Sequence, residues 1–377
     1  MSSMLTTGLM TIGFSLWIAA VAVLLASAVV SVVLHPRLRR TSIPDTLPSI
    51  SLIRPVAGLE YRMEDVTASC LRQDHPDCRV IFAISSPQDP ALPLVQEACQ
   101  VAPQTSCIVV NDQDRYTNPK LTNMAAGFAV QQAEFVFFSD SNTLLPANTA
   151  RYWQAQALAL GGVISALPEG VDPRSLAAWT ECAFFSHQFR LNTALDWIGM
   201  PSAHGKGMTM SVTHLQTLGG LDALSRYSTE DYALAVAATQ HSIPARVSEV
   251  PARIPLGRRS WSEVWRRQKR WGQYRVAHAP IGIWLELPIL MIPAGTAGAL
   301  SGAALLGVAP LVLFGGHVLG WLLVDLAIAK RRNQPLGIAF VCGCLIREVL
   351  NPVALVLGFF DRSVDWRGHV FQSAKTS

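Results

Sequence analysis

Asp140, Ser141 and Asn142 follow directly on a buried-type run, Phe135-Val-Phe-Phe-Ser139. Apolar runs of this length, rich in Phe and Val, suit the central strands of a parallel sheet covered on both faces. Open α/β sheets bind ligands beyond the carboxyl ends of such strands. An aspartate there, with a second oxygen-bearing side chain two residues on, can hold a divalent cation against a diphosphate. Asp-Ser-Asn is equally good turn chemistry. A second cluster lies between Arg253 and Arg275, where eight basic residues and one acidic residue, Glu263, are interleaved with Trp261, Trp265 and Trp271. Its guanidinium groups could grip a diphosphate; a basic aromatic helix beside an apolar segment also reads as interfacial. Both roles are compatible, and nucleic acid is disfavoured because the cluster abuts long apolar stretches. The first strand is followed by Arg54-Pro-Val-Ala-Gly58 rather than GxGxxG, and the chain has no GxxxxGK[ST]. A nucleotide would therefore be held by acidic residues and a metal, not by a glycine cradle.

These residues need a framework, and composition bounds it. Of 377 residues, 50% are hydrophobic and 15% charged, against roughly a quarter charged in an ordinary soluble chain, which implies a membrane protein with a soluble part. No charge occurs from Leu9 to Leu34, and His35, Arg37, Arg39 and Arg40 come immediately after. The length spans a bilayer, and the basic flank puts the downstream chain on the cytoplasmic side. Residues 1–40 are thus expected to be an uncleaved amino-terminal anchor, and 41–280 a cytoplasmic α/β domain. Strands are predicted at Ile50–Arg54, Arg79–Ser85, Ser106–Val110 and Phe135–Ser139, then near Gly162–Ala166 and Gly207–Ser211. Helices are predicted at Glu60–Gln73, Ala91–Val101, Lys120–Gln132, 174–192 and 230–240. Such alternation implies a largely parallel sheet. Residues 281–377 form a carboxyl-terminal membrane region: two tightly connected spans over Ile281–Ala329, whose only charges are Glu286 and Asp325, and a third apolar stretch, Leu336–Phe360. That stretch carries Arg347 and Glu348 midway, a costly pair at bilayer depth, so a re-entrant or interfacial segment is expected in preference to a third span. Trp366 in the tail suits an interface. The seven scattered cysteines read as buried free thiols.

Taken in order, several segments resemble the ceramide glucosyltransferase family, membrane-bound inverting glycosyltransferases of the glycosyltransferase-A fold. They are Ser51-Leu-Ile-Arg-Pro, Asp89-Pro-Ala, Asn118-Pro-Lys-Leu-Thr-Asn123, Asp140-Ser, Gly207-Met, Gly219-Gly-Leu and Glu230-Asp-Tyr. Arg267-Gln-Lys-Arg270-Trp271 fits the family's (Q/R)xxRW motif, and Ile346-Arg-Glu and Trp366-Arg367 resemble its carboxyl end. The likeness runs from about Ser49 to Arg367. Two departures are visible: Ser85, Ser86 and Gln88 stand where further acidic residues often precede the first aspartate, and Asn142 stands where many wider relatives have a carboxylate.

The resemblance implies a nucleotide-sugar-binding domain flanked by transmembrane helices, with a role for each matching residue. Asp89 would contact the uridine and Asp140 would bind Mg²⁺ or Mn²⁺. Asp231 would be the general base for the acceptor hydroxyl. Arg267 and Arg270 would grip the diphosphate or fix the loop over it, Lys120 would approach the donor phosphates, and Trp271 and His187 would lie near the acceptor. The implied reaction is glucose transfer from UDP-glucose to ceramide at the cytoplasmic face of the cell's inner membrane. The alternative is N-acetylglucosamine transfer from UDP-N-acetylglucosamine to a hopanoid. A processive polysaccharide synthase would carry Gln at position 267 and more spans. A transporter would lack so large an α/β domain, and a non-catalytic scaffold would be expected to have lost one of Asp89, Asp140, Asp231 or Arg270.

Overall fold

A computed structural model describes residues 2–111, 114–361, 363–366 and 369–372. The Trp366 side chain and Arg367 lie outside the described residues. Two compact units emerge: His35–Asp172 with Asn192–Gly257, and Met1–Leu34 with Pro173–Leu191 and Arg258–Ala374. The basic aromatic segment thus groups with the apolar helices rather than with the α/β domain expected to run to residue 280.

The α/β unit is built on β1 (Ile50–Val56), β2 (Cys78–Ile84), β3 (Ser106–Val110), β4 (Phe135–Ser139), β5 (Val163–Ser165), β6 (Pro168–Pro173), β7 (Gly207–Ser211), β8 (Ala245–Val247) and β9 (Ala252–Gly257). Seven of them form one sheet in the order β3-β2-β1-β4-β7-β5-β8. Strands β1 to β4 are parallel to one another where they pair, but β7 runs antiparallel to both β4 and β5. The sheet is therefore mixed where a largely parallel one was expected. The reversal sets the start of β7 beside the end of β4, with Gly207 opposite Ser139. Gly207 has no room for more than hydrogen, since a Cβ there would fall 2.3 Å from the Trp153 ring. Every residue of β1 and β4 is buried, as their apolar runs require.

Predicted and observed elements differ mainly at ends. The helix expected from Glu60 starts at Met63, because Arg62 takes a left-handed conformation at φ 56°. The helix Thr149–Leu160 and the β6–β9 ribbon were not anticipated; Pro at both ends of β6 reads as turn chemistry. The short helix His35–Arg39 is fixed by charge. Asp196 pairs with His35 at 3.0 Å and with Arg39 at 2.7 Å, while its other oxygen accepts from Val247 N at 3.1 Å.

Thr6–Arg39, Pro310–Arg331 and Ile338–Phe360 are each long and apolar enough to cross a membrane. The first of the two spans expected after residue 280 is broken: Pro280–Ile289 bends by 49° into Met291–Leu306. Met291–Leu306 presents glycines to its neighbours, and a Cβ on Gly298 would lie 2.3 Å from the Trp17 ring. A Cβ on Gly272 would lie 2.5 Å from Ala354 O, which seats the helix Trp261–His278 against Ile338–Phe360. Residues 338–360 form one uninterrupted helix rather than a re-entrant loop. The midway charges do not break it because they are paired. Arg347 pairs with Asp325 at 2.7 Å and, through Nε, with Glu348 at 2.9 Å, and donates to Ala183 O at 3.1 Å. All seven cysteines are free; Cys70, Cys182 and Cys344 are buried and the others partly so.

Removing one partner of a buried ion pair strands the others and costs about 3–5 kcal/mol. Arg347→Ala is expected to lower the thermal midpoint of the detergent-solubilised protein markedly; an unchanged midpoint would show that Asp325 and Glu348 do not depend on it.

Candidate active site

The carboxyl ends of β1, β2 and β4, and the start of β7, lie along one edge of the sheet. Chain order reverses between β1 and β4, the switch point at which such sheets bind ligands. Asp140 occupies the first position past β4. Its Oδ1 is 2.5 Å from Lys120 Nζ, and its Oδ2 is 2.7 Å from Lys206 Nζ. Lys206 also donates to Asn142 Oδ1 at 3.1 Å. Burial alone would raise the Asp140 carboxyl, but the two ammonium groups outweigh it and hold it well below the usual carboxylate range. Burial would likewise lower Lys120, but Asp140 and Glu230 outweigh it and hold the ammonium protonated far above neutrality.

Local structure explains why these groups meet. Lys120 sits in the first turn of the helix Pro119–Ala129, where Asn118 Oδ1 caps the Lys120 N–H at 3.0 Å. Its ammonium reaches Glu230 Oε1 at 2.5 Å and Gly205 O at 3.3 Å, and Asn118 Nδ2 donates to Glu230 Oε2 at 3.0 Å. Asp231 opens the helix Glu230–Gln240, and Gly205 N donates to its Oδ2 at 3.0 Å. Gly205 is a close-approach position: a Cβ there would lie 2.8 Å from Lys120 Nζ and 3.0 Å from Glu230 Oε1. Beneath the edge, Arg54 is buried in the sheet and donates to Ser139 Oγ at 3.1 Å and Thr143 O at 2.7 Å, pinning both sides of the Asp140 turn. Asp89 accepts from Gly58 N through both oxygens, at 3.1 and 2.9 Å, and from Ala91 N at 2.8 Å, which joins the loops after β1 and β2.

Asp140, Lys120 and Asp231 are thus gathered around Gly205, and Asp89 stands on the same edge of the sheet. The remaining predicted residues belong to the other unit. There Arg267 is ion-paired with buried Glu181, which Arg259 approaches at 3.6 Å. Trp271 packs on Phe185 with ring centroids 5.8 Å apart, and Arg270 lies in the same helix. His187 is buried beside Arg190, and burial pushes its pKa down. Sequence reasoning missed Lys206, Glu230 as a partner of Lys120, Arg54 as the pin, and Glu181. Only Lys206 left a signal, as a cation between two glycines in Gly205-Lys-Gly207.

The Lys206 ammonium bridges the oxygens of Asp140 and Asn142, so a cation already sits between two hard donors, a set that suits Mg²⁺ or Mn²⁺. Among the described residues no group of three or more His, Cys, Asp or Glu gathers into a metal cage. Further ligands would therefore come from substrate phosphates and water, the ordinary arrangement for Mg²⁺.

Residues 16–376 match the family described as Glycosyl transferase family 21. The chain belongs to that family. It is similar to ceramide glucosyltransferase 1 of Caenorhabditis elegans, 24% identical over 351 residues that cover 89% of this chain and 74% of the relative. It is also similar to ceramide glucosyltransferase 3 of the same organism, 22% identical over 353 residues covering 90% and 75%. Among solved structures, mannosyltransferase PcManGT from Pyrobaculum calidifontis in complex with GDP-Man and Mn²⁺ superposes with a TM-score of 0.50 at 18% identity. The match covers 90% of this chain and 99% of that one, and shows that the two share a fold. The family 21 chain is a hexosyltransferase with a glycosyltransferase-A type α/β domain and transmembrane helices, as the motif resemblance implied.

The charge cluster can be tested in two ways. Gly205→Ala should displace the flexible Lys120 tip rather than unfold the chain, so turnover is expected to fall about tenfold or more with little change in thermal midpoint; full activity would remove Gly205 from the site. A carboxyl lowered on folding stabilises above its unfolded pKa of about 3.9 and loses that contribution as pH falls through its folded value. Thermal midpoints measured from pH 6 to pH 3 should therefore drop more steeply for the native protein than for Asp140→Asn. Parallel curves would contradict the two-lysine clamp.

Proposed function

We propose that this protein transfers glucose from UDP-glucose to the primary hydroxyl of ceramide, at the cytoplasmic face of the membrane, with inversion at the anomeric carbon. The observation that carries the reading is the similarity to ceramide glucosyltransferases along nine-tenths of the chain, joined to an Asp140–Lys120–Asp231 cluster at the switch point of the sheet.

Each residue then has a task. Lys120 and Lys206 supply the positive charge that a diphosphate needs, turning from Asp140 towards phosphate oxygens as the donor enters. Asp140 and Asn142 would hold Mg²⁺ or Mn²⁺, which supplies charge neutralisation to the departing diphosphate. Asp89, its carboxylate fixed by backbone N–H groups, contacts the uridine. Arg270 grips the diphosphate, and Arg267, held by Glu181, orders the segment that carries it. Trp271 and His187 serve the lipid acceptor. Asp231, oriented by the Gly205 N–H, takes the proton from the acceptor hydroxyl. That oxygen forms its bond to the anomeric carbon as the bond to the diphosphate breaks, giving a β-glycoside and UDP. One displacement inverts an α-linked donor.

The test is purified protein with Mg²⁺ or Mn²⁺, labelled UDP-glucose or UDP-N-acetylglucosamine, and ceramide or a bacteriohopanetetrol, with products resolved by mass. Hexosylceramide is expected; an N-acetylhexosamine on the hopanoid would move the substrate and keep the site. Asp231→Asn is expected to cut turnover by about 10²–10⁴-fold with UDP affinity retained, and Arg270→Ala to weaken UDP binding. Wild-type turnover in Asp231→Asn would mean that another group is the base.

A further inference from the structure

Ile338–Phe360 is long enough to cross a bilayer, yet its two faces differ along its whole length. Ile338, Leu345, Val349, Val353, Val356 and Phe360 are exposed, and their spacing places them on one stripe of a 3.6-residue helix. Protein covers the opposite face. Arg347 lies there and donates to Ala183 O at 3.1 Å. A Cβ on Gly343 would stand 2.8 Å from Trp179 O, and one on Gly358 would stand 2.9 Å from Gly272 O.

The two ends decide how this helix lies. It follows Pro310–Arg331 through residues 332–337 alone, and Lys330, Arg331 and Arg332 mark that junction as cytoplasmic. At the other end Asp361 pairs with Lys269 at 2.7 Å, and Gln273 Nε2 donates to Asp361 O at 3.0 Å and to Ser363 O at 2.8 Å. Lys269 and Gln273 belong to Trp261–His278, a helix whose Glu263, Arg266, Arg267, Lys269, Arg270 and Arg275 keep it out of hydrocarbon. It begins shortly after β9, and among the described residues no helix between Arg39 and Trp261 is long and apolar enough to cross. Trp261–His278 therefore shares the side of the basic flank Arg37, Arg39 and Arg40. Both ends of Ile338–Phe360 are held on that one side.

The exposed stripe continues onto a second apolar surface. Trp284 packs on Phe359 with ring centroids 5.1 Å apart. Ile281, Trp284 and Leu285 are themselves exposed on the short helix Pro280–Glu286, which leads through the 49° bend into Met291–Leu306. An exposed Trp beside aliphatic side chains suits the level of lipid headgroups.

We propose that Ile338–Phe360 does not cross the membrane but lies in the plane of its cytoplasmic interface. The partner of its exposed stripe is the lipid leaflet, with Ile338, Val349 and Phe360 against acyl chains and Arg347 turned into protein. Arg347 then has no need to pass through hydrocarbon. Three passages remain: the amino-terminal helix, Met291–Leu306 with the bent segment before it, and Pro310–Arg331. Under the proposed reaction, the in-plane helix holds Arg267 and Arg270 near headgroup level, where a lipid hydroxyl emerges. The topology itself does not depend on that reaction.

The test labels the full chain in sealed right-side-out membrane vesicles with a membrane-impermeant maleimide. Leu336→Cys and Ser363→Cys flank the helix, Val308→Cys marks the turn before Pro310, and the native protein with its seven free cysteines sets the blank. Val308→Cys is expected to label in sealed vesicles. Leu336→Cys and Ser363→Cys should stay at the blank there, and both should rise severalfold once the vesicles are permeabilised. Labelling of Leu336→Cys and Ser363→Cys from opposite sides would mean a crossing helix and would overturn the proposal. Labelling of both from outside would overturn the cytoplasmic placement. Nitroxides on Ile338→Cys, Val349→Cys and Phe360→Cys give a second reading through their accessibility to oxygen and to a nickel chelate. Equal, shallow depths are expected; a crossing helix would put Val349 about 15 Å deeper than Ile338. Neither readout requires turnover, so failure of the transferase reading would leave this result standing.

Discussion

The α/β unit depends on one half-buried carboxylate. Asp140 lies just past the end of a wholly buried strand, and its charged side chain is 21% exposed. A buried charge is tolerated only when paired and hydrogen-bonded. Lys120 and Lys206 provide that pairing from two different parts of the chain, one from the first turn of a helix and one from the approach to β7. Lys120 passes the constraint on to Glu230, and Gly205 passes it to Asp231. Segments 85 to 110 residues apart are thus tied at one point on the sheet edge. The same arrangement is the functional asset: two ammonium ions restrained by carboxylates can turn to a diphosphate without having to be assembled.

The antiparallel β7 is the topological counterpart of this constraint. Only a strand running against β4 brings its beginning to β4's end, so that Gly205 and Lys206 reach Asp140. Gly205 and Gly207 then solve two separate steric problems. The first lets backbone approach the Lys120–Glu230 pair, and the second lets Trp153 lie against the strand.

Much of this was legible in the sequence. Phe135–Ser139 and Ser106–Val110 announce themselves as strands by composition, and the chargeless run before His35 announces an apolar helix. Asp140 and Lys120 could be named because each sits at a predicted element end. Strand direction could not, because a residue pattern records which positions are buried and not which way the chain runs. Lys206 escaped because a turn has no periodicity to mark it. Arg347 and Glu348 were read as an obstacle to a continuous helix, since their neutralising partner Asp325 lies 22 residues away on another helix.

The central claim is a single in-line displacement with Asp231 as base, and the configuration of the product reports on it directly. The glycolipid made from α-linked UDP-glucose can be isolated and its anomeric proton coupling measured by NMR. The account predicts the large coupling of a β-glucoside. An α-glucoside would mean retention, and would contradict both the single displacement and the role given to Asp231.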